Sequence, residues 1–268
     1  MIGSIIGDVA GSFFECCNTK SKDFDFFTDR SRFTDDSVLT IATADWLLNG
    51  GKCETYYADW GNTFPSAGYG GRFLDWLWDM DRKGCAEPYN SCGNGSAMRI
   101  GPVGWAFNTI EETMEAAKIS AECTHNHPEG IKGAQAVALC IFMARNGSSK
   151  EDVRDKVTSM FGYDLSFTID GIRATYGWDS AFGNGLLCQA SVPQAIVAFL
   201  DGNDFEDCVR NAISIGGDSD TIACITGSIA EAFYGVPDNI RNDVMKYLPD
   251  SFKSVIAEFE EKYQAIRE

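Results

Sequence analysis

Basic side chains are scarce in this chain of 268 residues. Lysine and arginine number 22, against 39 aspartates and glutamates, so the formal net charge is −17. Duplex nucleic acids and anionic membrane surfaces are bound through basic patches, and the charge balance therefore argues against both as the main partner. The acidic excess leaves three roles open, namely binding of divalent cations, attraction of a basic substrate, or solubility alone.

Long apolar runs and signal-sequence features are also missing. No stretch of about 18 apolar residues occurs, which predicts that no helix spans a membrane. The first fifteen residues, MIGSIIGDVAGSFFE, have no basic segment and carry Asp8 within their apolar stretch, so we expect no cleavable signal sequence. The ten cysteines include no CxxC pair, which disfavours a zinc ribbon or a thioredoxin-type motif. We therefore expect a cytoplasmic protein whose cysteines are mostly buried and reduced.

Strand patterns are scarce, and helical periodicity dominates instead. Helices are predicted at about 2–14, 36–49, 54–63, 72–81, 96–107, 109–122, 128–145, 150–160, 191–200, 204–214, 219–233, 238–247 and 251–266. The segments 86–96 and 174–187 are rich in glycine and aromatic or polar residues and are predicted to be loops. No repeat or linker divides the chain. The prediction is an all-α protein, a single compact multi-helix orthogonal bundle over residues 1–268.

The first predicted helix carries a glycine stripe. Gly3, Gly7 and Gly11 recur at four-residue spacing beside isoleucine, valine and phenylalanine side chains. Glycines at this spacing share one face of a helix and allow another helix to approach closely. The apolar segment is too short for a membrane dimer motif, so the stripe predicts a close helix–helix contact within the fold.

Two acidic clusters each precede an apolar helix, in RFTDDSVLTIATADWL at 32–47 and GGDSDTIACITGSIAEAF at 216–233. Their oxygen-bearing residues are Thr34, Asp35, Asp36, Asp218, Asp220 and Thr221. Helix capping explains one acceptor oxygen per helix, whereas each cluster offers three oxygen-bearing side chains. Four close, partly buried carboxylates repel each other unless a cation compensates them, and such oxygens suit Mg²⁺ or Mn²⁺. The clusters are therefore either two helix caps or, if the fold joins them, a two-metal site.

Glu15 is a further candidate because it closes the first predicted helix beside Phe13 and Phe14. Taken alone, it is an ordinary surface glutamate at a helix end. Next to a pair of metal ions, it becomes a candidate acid/base carboxylate whose proton affinity is tuned by apolar neighbours.

Three loops could contact a ligand. CGNGSAMRIGPVGW at 92–105 leaves backbone N–H groups uncovered, which is compatible with a tight turn or with a phosphate cradle. THNHPEGIKGA at 124–134 holds both histidines, His125 and His127, without a third soft ligand for zinc. A polar helix-capping loop or a contact to a sugar or phosphate are the alternatives. Trp178, within 174–187, either stacks on a base or anchors its own loop.

Taken together, these segments resemble the ADP-ribosylglycohydrolase family. The matching elements are IIGDVAGSFFE at 5–15, FTDDSVLTIA at 33–42, GNGSAMRIGPVG at 93–104, THNHPEGIKGA at 124–134 and GGDSDTIACITGSIAEAFYG at 216–235. They span nearly the whole chain in the order that the family uses. The resemblance implies an all-α fold with a binuclear Mg²⁺ (or Mn²⁺) centre in a cleft.

The resemblance also implies roles for individual residues. Metal ligands are expected at Thr34, Asp35, Asp36, Asp218, Asp220 and Thr221. Catalytic roles are expected for Glu15, Asp36 and Asp220. Substrate contacts are expected at Gly93, Asn94, Gly95, Ser96, Met98, His125 and Trp178. One departure is Cys92, which stands where some relatives place an aromatic residue that stacks on adenine. The adenine-stacking ring is then expected to be Tyr89, Trp178 or another aromatic side chain.

The activity implied by the resemblance is hydrolysis of the bond between ribose C1″ of ADP-ribose and a side chain. The expected partner is ADP-ribose or an ADP-ribosylated protein or other acceptor, with a monomer as the default. Two alternatives remain, a catalytically silent ADP-ribose-binding protein and a two-metal nucleotide phosphohydrolase. The acceptor linkage, whether arginine, serine, a nucleobase or poly-ADP-ribose, stays open.

Overall fold

The computed structural model describes residues 1–264, and helices make up most of them. In chain order the helices are α1 Ile2–Cys16, α2 Asp35–Asn49, α3 Cys53–Thr63, α4 Gly71–Lys83, α5 Gly95–Met98, α6 Val103–Ala106, α7 Ile110–Glu122, α8 Pro128–Arg145, α9 Lys150–Phe161, α10 Ile169–Ile172, α11 Cys188–Asp201, α12 Phe205–Ser214, α13 Ser219–Tyr234, α14 Asp238–Val244 and α15 Asp250–Tyr263. A 3₁₀ turn covers Met245–Tyr247. The all-α prediction is confirmed.

The departures from the predicted helices are local. The predicted helix at 96–107 is two short helices, α5 and α6, because Pro102 lacks an N–H and restricts the residue before it. Helix α10 is a single turn capped by Thr168, too short to produce a periodic pattern. Two short antiparallel strands, β1 Asp179–Ser180 and β2 Gly183–Asn184, lie inside the loop predicted at 174–187.

Helices α1 and α13 form the antiparallel pair that positions the polar residues, and the glycine stripe makes their contact possible. A Cβ atom on Gly7 would lie 2.0 Å from the carbonyl oxygen of Ala223, and one on Gly11 would lie 2.5 Å from Cα of Asp220. These distances are far inside van der Waals contact, so the two backbones touch. The C-terminal end of α1 therefore lies against the N-terminal end of α13.

The remaining helices surround this pair. Helix α13 is buried along nearly its whole length, and α8, α11 and α12 pack against it. Helix α2 packs against α1 on one side and against α3 and α15 on the other. The first turn of α2, with its two aspartates, consequently lies near the start of α13 and the end of α1.

The sequence predicted that no helix spans a membrane and that most cysteines are buried and reduced. Within residues 1–264, every helix is too short or too polar to cross a bilayer. All ten cysteines are free thiols, and five of them are buried: Cys53, Cys140, Cys188, Cys208 and Cys224. Buried thiols of this kind behave as small apolar side chains within the core.

Candidate active site

The two acidic clusters meet in one cleft of about 390 Å³, although 181 positions separate Asp36 from Gly217 in the sequence. The sequence-predicted residues that line it are Glu15, Thr34, Asp35, Asp36, Gly93, Asn94, Gly95, Met98, His125, Asp218, Asp220 and Thr221. Lining residues that the sequence did not indicate include Arg32, Leu39, Gly68, Arg72 and Arg99. A concave site of this size with converging polar groups is typical of small-ligand binding.

Helix starts deliver both acidic clusters. Thr34 caps α2 from an extended backbone conformation, and its hydroxyl accepts a hydrogen bond from the N–H of Asp36 at 3.3 Å. Gly216 and Gly217 adopt φ angles of 73° and 71°, a left-handed turn that favours glycine and brings Asp218 to the head of α13. The Asp218 side chain makes no capping bond, so its carboxylate is left for the cleft.

Carboxylate oxygens come together in two trios. One oxygen each from Asp8, Asp36 and Asp220 lie within 4.8 Å of one another, and the same holds for Glu15, Asp218 and Asp220. Asp220 belongs to both trios. The Oδ1 atom of Asp36 is buried without a hydrogen-bond partner. A buried carboxylate oxygen without a hydrogen-bond partner is costly. A bound cation would remove that cost, and these oxygens are the ligand atoms that hard divalent cations prefer.

Burial and mutual repulsion raise the pKa values of these aspartates. Burial, with repulsion from Asp8 next, raises the pKa of Asp35 to about 8. Burial and neighbouring carboxylates hold the pKa values of Asp36 and Asp220 well above the usual range. Asp8 and Asp218 reach pKa values of about 6, mainly because they are buried. Across residues 1–264 no lysine or arginine pairs with these groups, so protons or added cations must compensate their charge.

Asp8 is the residue that sequence reasoning missed. Its Oδ1 accepts a hydrogen bond from the Thr34 hydroxyl at 2.7 Å, and its Oδ2 accepts from the N–H groups of Thr34 at 2.9 Å and Ser37 at 3.0 Å. The Ser37 hydroxyl donates to Oδ2 as well. Asp8 therefore fixes the first turn of α2 and accepts the hydrogen bond of the Thr34 hydroxyl. Its seven-residue spacing from Glu15 places both on one face of α1, and that signal was available in the sequence.

The Gly-Asn-Gly loop lines the cleft beside the carboxylates; together with Tyr89 and His125 it is called the donor wall, and the carboxylates form the acidic wall. The N–H of Asn94 donates to the carbonyl of Leu186 at 2.9 Å, which fixes the loop to the segment before α11. The Asn94 side chain donates to Oδ2 of Asp218 at 2.6 Å and so ties this wall to the acidic one. His125 lies directly behind the loop, with its Nε2 close to Gly95.

Two predicted substrate-binding residues do not line the cleft. The Ser96 side chain is fully buried, and its hydroxyl donates to the carbonyl of Gly130 at 2.7 Å, which joins the loop to α8. Trp178 is 36% exposed and lies outside the lining, because the loop at 174–187 reaches the cleft through Leu186 instead. Ser96 is thus a structural contact. The Trp178 carbonyl accepts from the N–H of Gly185 at 2.8 Å, next to the lining residue Leu186, and its contact with a ligand stays a prediction.

Two aromatic rings besides His125 line the cleft, those of Tyr89 and Phe73. The guanidinium of Arg72 lies over the Tyr89 ring, 5.0 Å from its centroid, and donates to the Tyr89 carbonyl. The His125 ring lies 5.6 Å from the Tyr89 ring on another side. Of the two stacking residues named from the sequence, Tyr89 lines the cleft and Trp178 does not, and the stacking role itself stays a prediction.

Comparison with known proteins settles the family. The sequence profile of the ADP-ribosylglycohydrolase family matches residues 1–267. The chain belongs to that family. It is 26% identical to ADP-ribosylhydrolase ARH3 of Mus musculus, over 97% of this chain and 87% of that protein. It is 22% identical to ADP-ribosylarginine hydrolase Tri1 of Pseudomonas putida, over 88% and 70%.

A solved structure supports the fold. The ADP-ribosylglycohydrolase-related protein complex matches with a TM-score of 0.70 at 22% identity, covering 97% of this chain and 95% of that one. Membership of this family, with relatives named as ADP-ribosylhydrolases, makes the protein a hydrolase.

Proposed function

We propose that this family member is a metal-dependent hydrolase that cleaves the bond between ribose C1″ of ADP-ribose and an acceptor side chain. The observation that carries the proposal is the pair of carboxylate trios sharing Asp220, beside an Asp36 oxygen that has no partner. Buried carboxylates without a basic partner are stabilised by a cation, and two adjacent trios suit two ions.

The proposed cofactors are two Mg²⁺ ions, or Mn²⁺. The residues that would hold them are Thr34, Asp35, Asp36, Asp218, Asp220 and Thr221, with Asp8 orienting Thr34. All of these ligands offer oxygen, the donor that Mg²⁺ and Mn²⁺ prefer over nitrogen or sulfur. Bound there, such ions would act as Lewis acids that orient ribose hydroxyls next to C1″.

Glu15 is the proposed proton carrier. Its carboxylate reaches within 4.8 Å of Asp218 and Asp220, yet the residue is only half-buried at the end of α1. It can therefore meet both the sugar and the solvent. Glycosidic cleavage passes through an oxocarbenium-like state that nearby carboxylates stabilise, while one carboxyl group protonates the leaving atom or takes a proton from water. Glu15 would perform that transfer.

The donor wall would hold the nucleotide end. The N–H groups of Gly93 and Asn94 already donate to Ser91 Oγ and to the Leu186 carbonyl, so Gly95 and His125, which line the cleft, would meet the diphosphate. Tyr89, backed by Arg72, offers a ring on which adenine would stack. Oxygen ligands and hydrogen-bond donors share one cleft, as binding of the ribose and the diphosphate of ADP-ribose would require.

Release of free ADP-ribose from arginine-linked and serine-linked peptides, with Mg²⁺ or with a chelator, tests the proposal. We expect Mg²⁺-dependent release from one of the two peptides, and loss of release in Glu15→Gln. Binding of ADP-ribose without release from either peptide would instead favour a binding protein, and release of inorganic phosphate would favour a phosphohydrolase. Release that survives chelation would contradict the metal dependence.

A further inference from the structure

Arg99, directly after α5, is a buried cation with no acidic partner. Its side chain is fully buried, and no carboxylate within residues 1–264 pairs with it. The guanidinium lies 4.1 Å from the centroid of the Tyr57 ring and donates to the carbonyl of Ser120 at 2.5 Å. Its Nη2 also donates to Oγ1 of Thr124 at 2.9 Å. The charge is therefore held by an aromatic face, by neutral oxygens and by the Cys123 sulfur, which lies 3.9 Å from Nη2.

The bond from Arg99 restricts what the Thr124 hydroxyl can do. A guanidinium has only donors, so Oγ1 of Thr124 must accept. Oγ1 also lies 2.8 Å from Nδ1 of His125, to which it can donate its single proton, with the neighbouring Cys123 side chain as the second acceptor. When Oγ1 donates, Nδ1 is the acceptor, and a neutral imidazole then carries its proton on Nε2.

Nε2 of His125 faces the Gly-Asn-Gly loop. A Cβ atom on Gly95 would lie 3.0 Å from Nε2, and one on Gly93 would lie 3.7 Å from it. Burial, with Arg99 and Arg72 as the charged groups that act on the ring, holds the pKa of His125 well below its usual range. A neutral ring whose Nδ1 accepts from Thr124 carries its one N–H on Nε2, toward the loop.

We propose that Arg99 and Thr124 are positioning residues that fix His125 as a neutral Nε2–H donor beneath the Gly-Asn-Gly loop. The donor is present before any ligand arrives. One consequence rests on the proposed function: an acceptor such as a phosphate oxygen is favoured at this point of the cleft, and a ligand group that can only donate is disfavoured. The tautomer itself is independent of the reaction.

Nitrogen NMR of ligand-free protein labelled with ¹⁵N-histidine tests the assignment. The chain has two histidines, so the variant His127→Asn leaves a single imidazole signal. His127 caps α8 by accepting from the N–H of Glu129, and asparagine is a good capping residue. We expect couplings to the ring protons to show the proton on Nε2 throughout about pH 5 to 8. A proton on Nδ1, or an imidazolium in this range, would overturn the proposal.

Matched variants at Thr124 test whether its hydroxyl fixes the tautomer of His125. Thr124→Ser keeps the hydroxyl and should give the parent spectrum. Thr124→Val removes it, so we expect altered ring nitrogen signals and a mixed or reversed tautomer. A parent-like spectrum for Thr124→Val would exclude the positioning role. If the valine variant does not fold, the spectrum of the parent protein still decides the tautomer.

Titration with ADP-ribose adds a functional readout. Thr124→Val should raise the Kd by about three- to tenfold, the effect of roughly one net hydrogen bond, whereas Thr124→Ser should not. An equal loss of affinity in both variants would mean that Thr124 acts through side-chain packing, and would exclude the hydrogen bond to His125 as the cause. The NMR result needs no turnover, so a fixed Nε2–H in a protein that releases no ADP-ribose would contradict only the proposed function.

Discussion

The two walls of the cleft respond to burial in opposite directions. On the acidic wall, burial raises the pKa values of Asp35, Asp36 and Asp220. On the donor wall, the same loss of water lowers the pKa of His125. Desolvation penalises the charged form in both cases. Without a cation, the acidic wall therefore favours protonated carboxyl groups, whereas the donor wall favours a neutral imidazole.

The largest expected effect comes from Asp220→Asn, which removes the carboxylate that both trios share. We expect hydrolysis to fall by at least about a hundredfold, the upper range for loss of a metal-site partner. Because the change also removes a buried carboxyl group that the metal-free protein must keep protonated against its usual pKa, the metal-free variant should melt at a higher temperature than the parent protein. Peptide hydrolysis and thermal unfolding with a chelator measure both. Full activity in this variant would disprove the shared-ligand role.

Asp8→Asn tests whether Asp8 contributes to metal binding by orienting the proposed metal ligand Thr34. The Thr34 hydroxyl donates to Asp8, and an amide cannot accept all of the present bonds. We expect Mg²⁺ affinity to weaken by about 10- to 100-fold, as for other groups that orient metal ligands. Calorimetric Mg²⁺ titration gives the comparison with the parent protein. Unchanged affinity would mean that Asp8 serves only the packing of α2.

The pH dependence of stability should report on the acidic wall. An aspartate whose folded pKa lies above its unfolded value contributes stability at low pH and loses it as pH rises through the folded value. With Asp8 and Asp218 near 6 and Asp35 near 8, the Tm of chelated protein should fall between about pH 5 and about pH 8. Added Mg²⁺ should remove most of that fall. A Tm independent of pH without metal would contradict the repulsion described above.

The smallest effect is expected on the donor wall. Tyr89→Leu should weaken ADP-ribose binding by a few-fold to tenfold, since a stacked ring contributes about 0.5–1.5 kcal/mol beyond its buried area. Trp178→Leu is the matched control, because that ring lies outside the cleft lining. Fluorescence or calorimetric titration compares them. A larger loss for the tryptophan variant would reverse the assignment of the stacking ring.

Local patterns in the sequence predicted the helices and the acidic clusters well. Thr34 and Asp218 begin helices, and periodic apolar residues follow each of them, so both segments could be recognised without knowing the fold. The glycine stripe predicted a close helix contact, which α1 and α13 make. The assignment to the family and the all-α fold are confirmed, while the roles of individual site residues remain predictions.

Contacts between residues far apart in the sequence could not be predicted from local patterns. Asp8 appeared only as a polar residue in an apolar segment, because its partners Thr34 and Ser37 lie 26 and 29 positions away. The path of the 174–187 loop depends on hydrogen bonds to distant residues. One example is the bond that Lys20 Nζ donates to the Tyr176 carbonyl at 2.7 Å. Composition could place an aromatic residue in that loop but could not say which residue faces the cleft.

The most direct test of the contrast between the walls is the metal stoichiometry of chelator-treated protein. Titration with Mn²⁺ or Mg²⁺ should load two ions per chain, and Asp220→Asn should lower that number. ADP-ribose should still bind the metal-free protein through the donor wall, more weakly than with metal. Absence of specific metal binding to the folded parent protein would contradict the account, and the acidic clusters would then be helix caps alone.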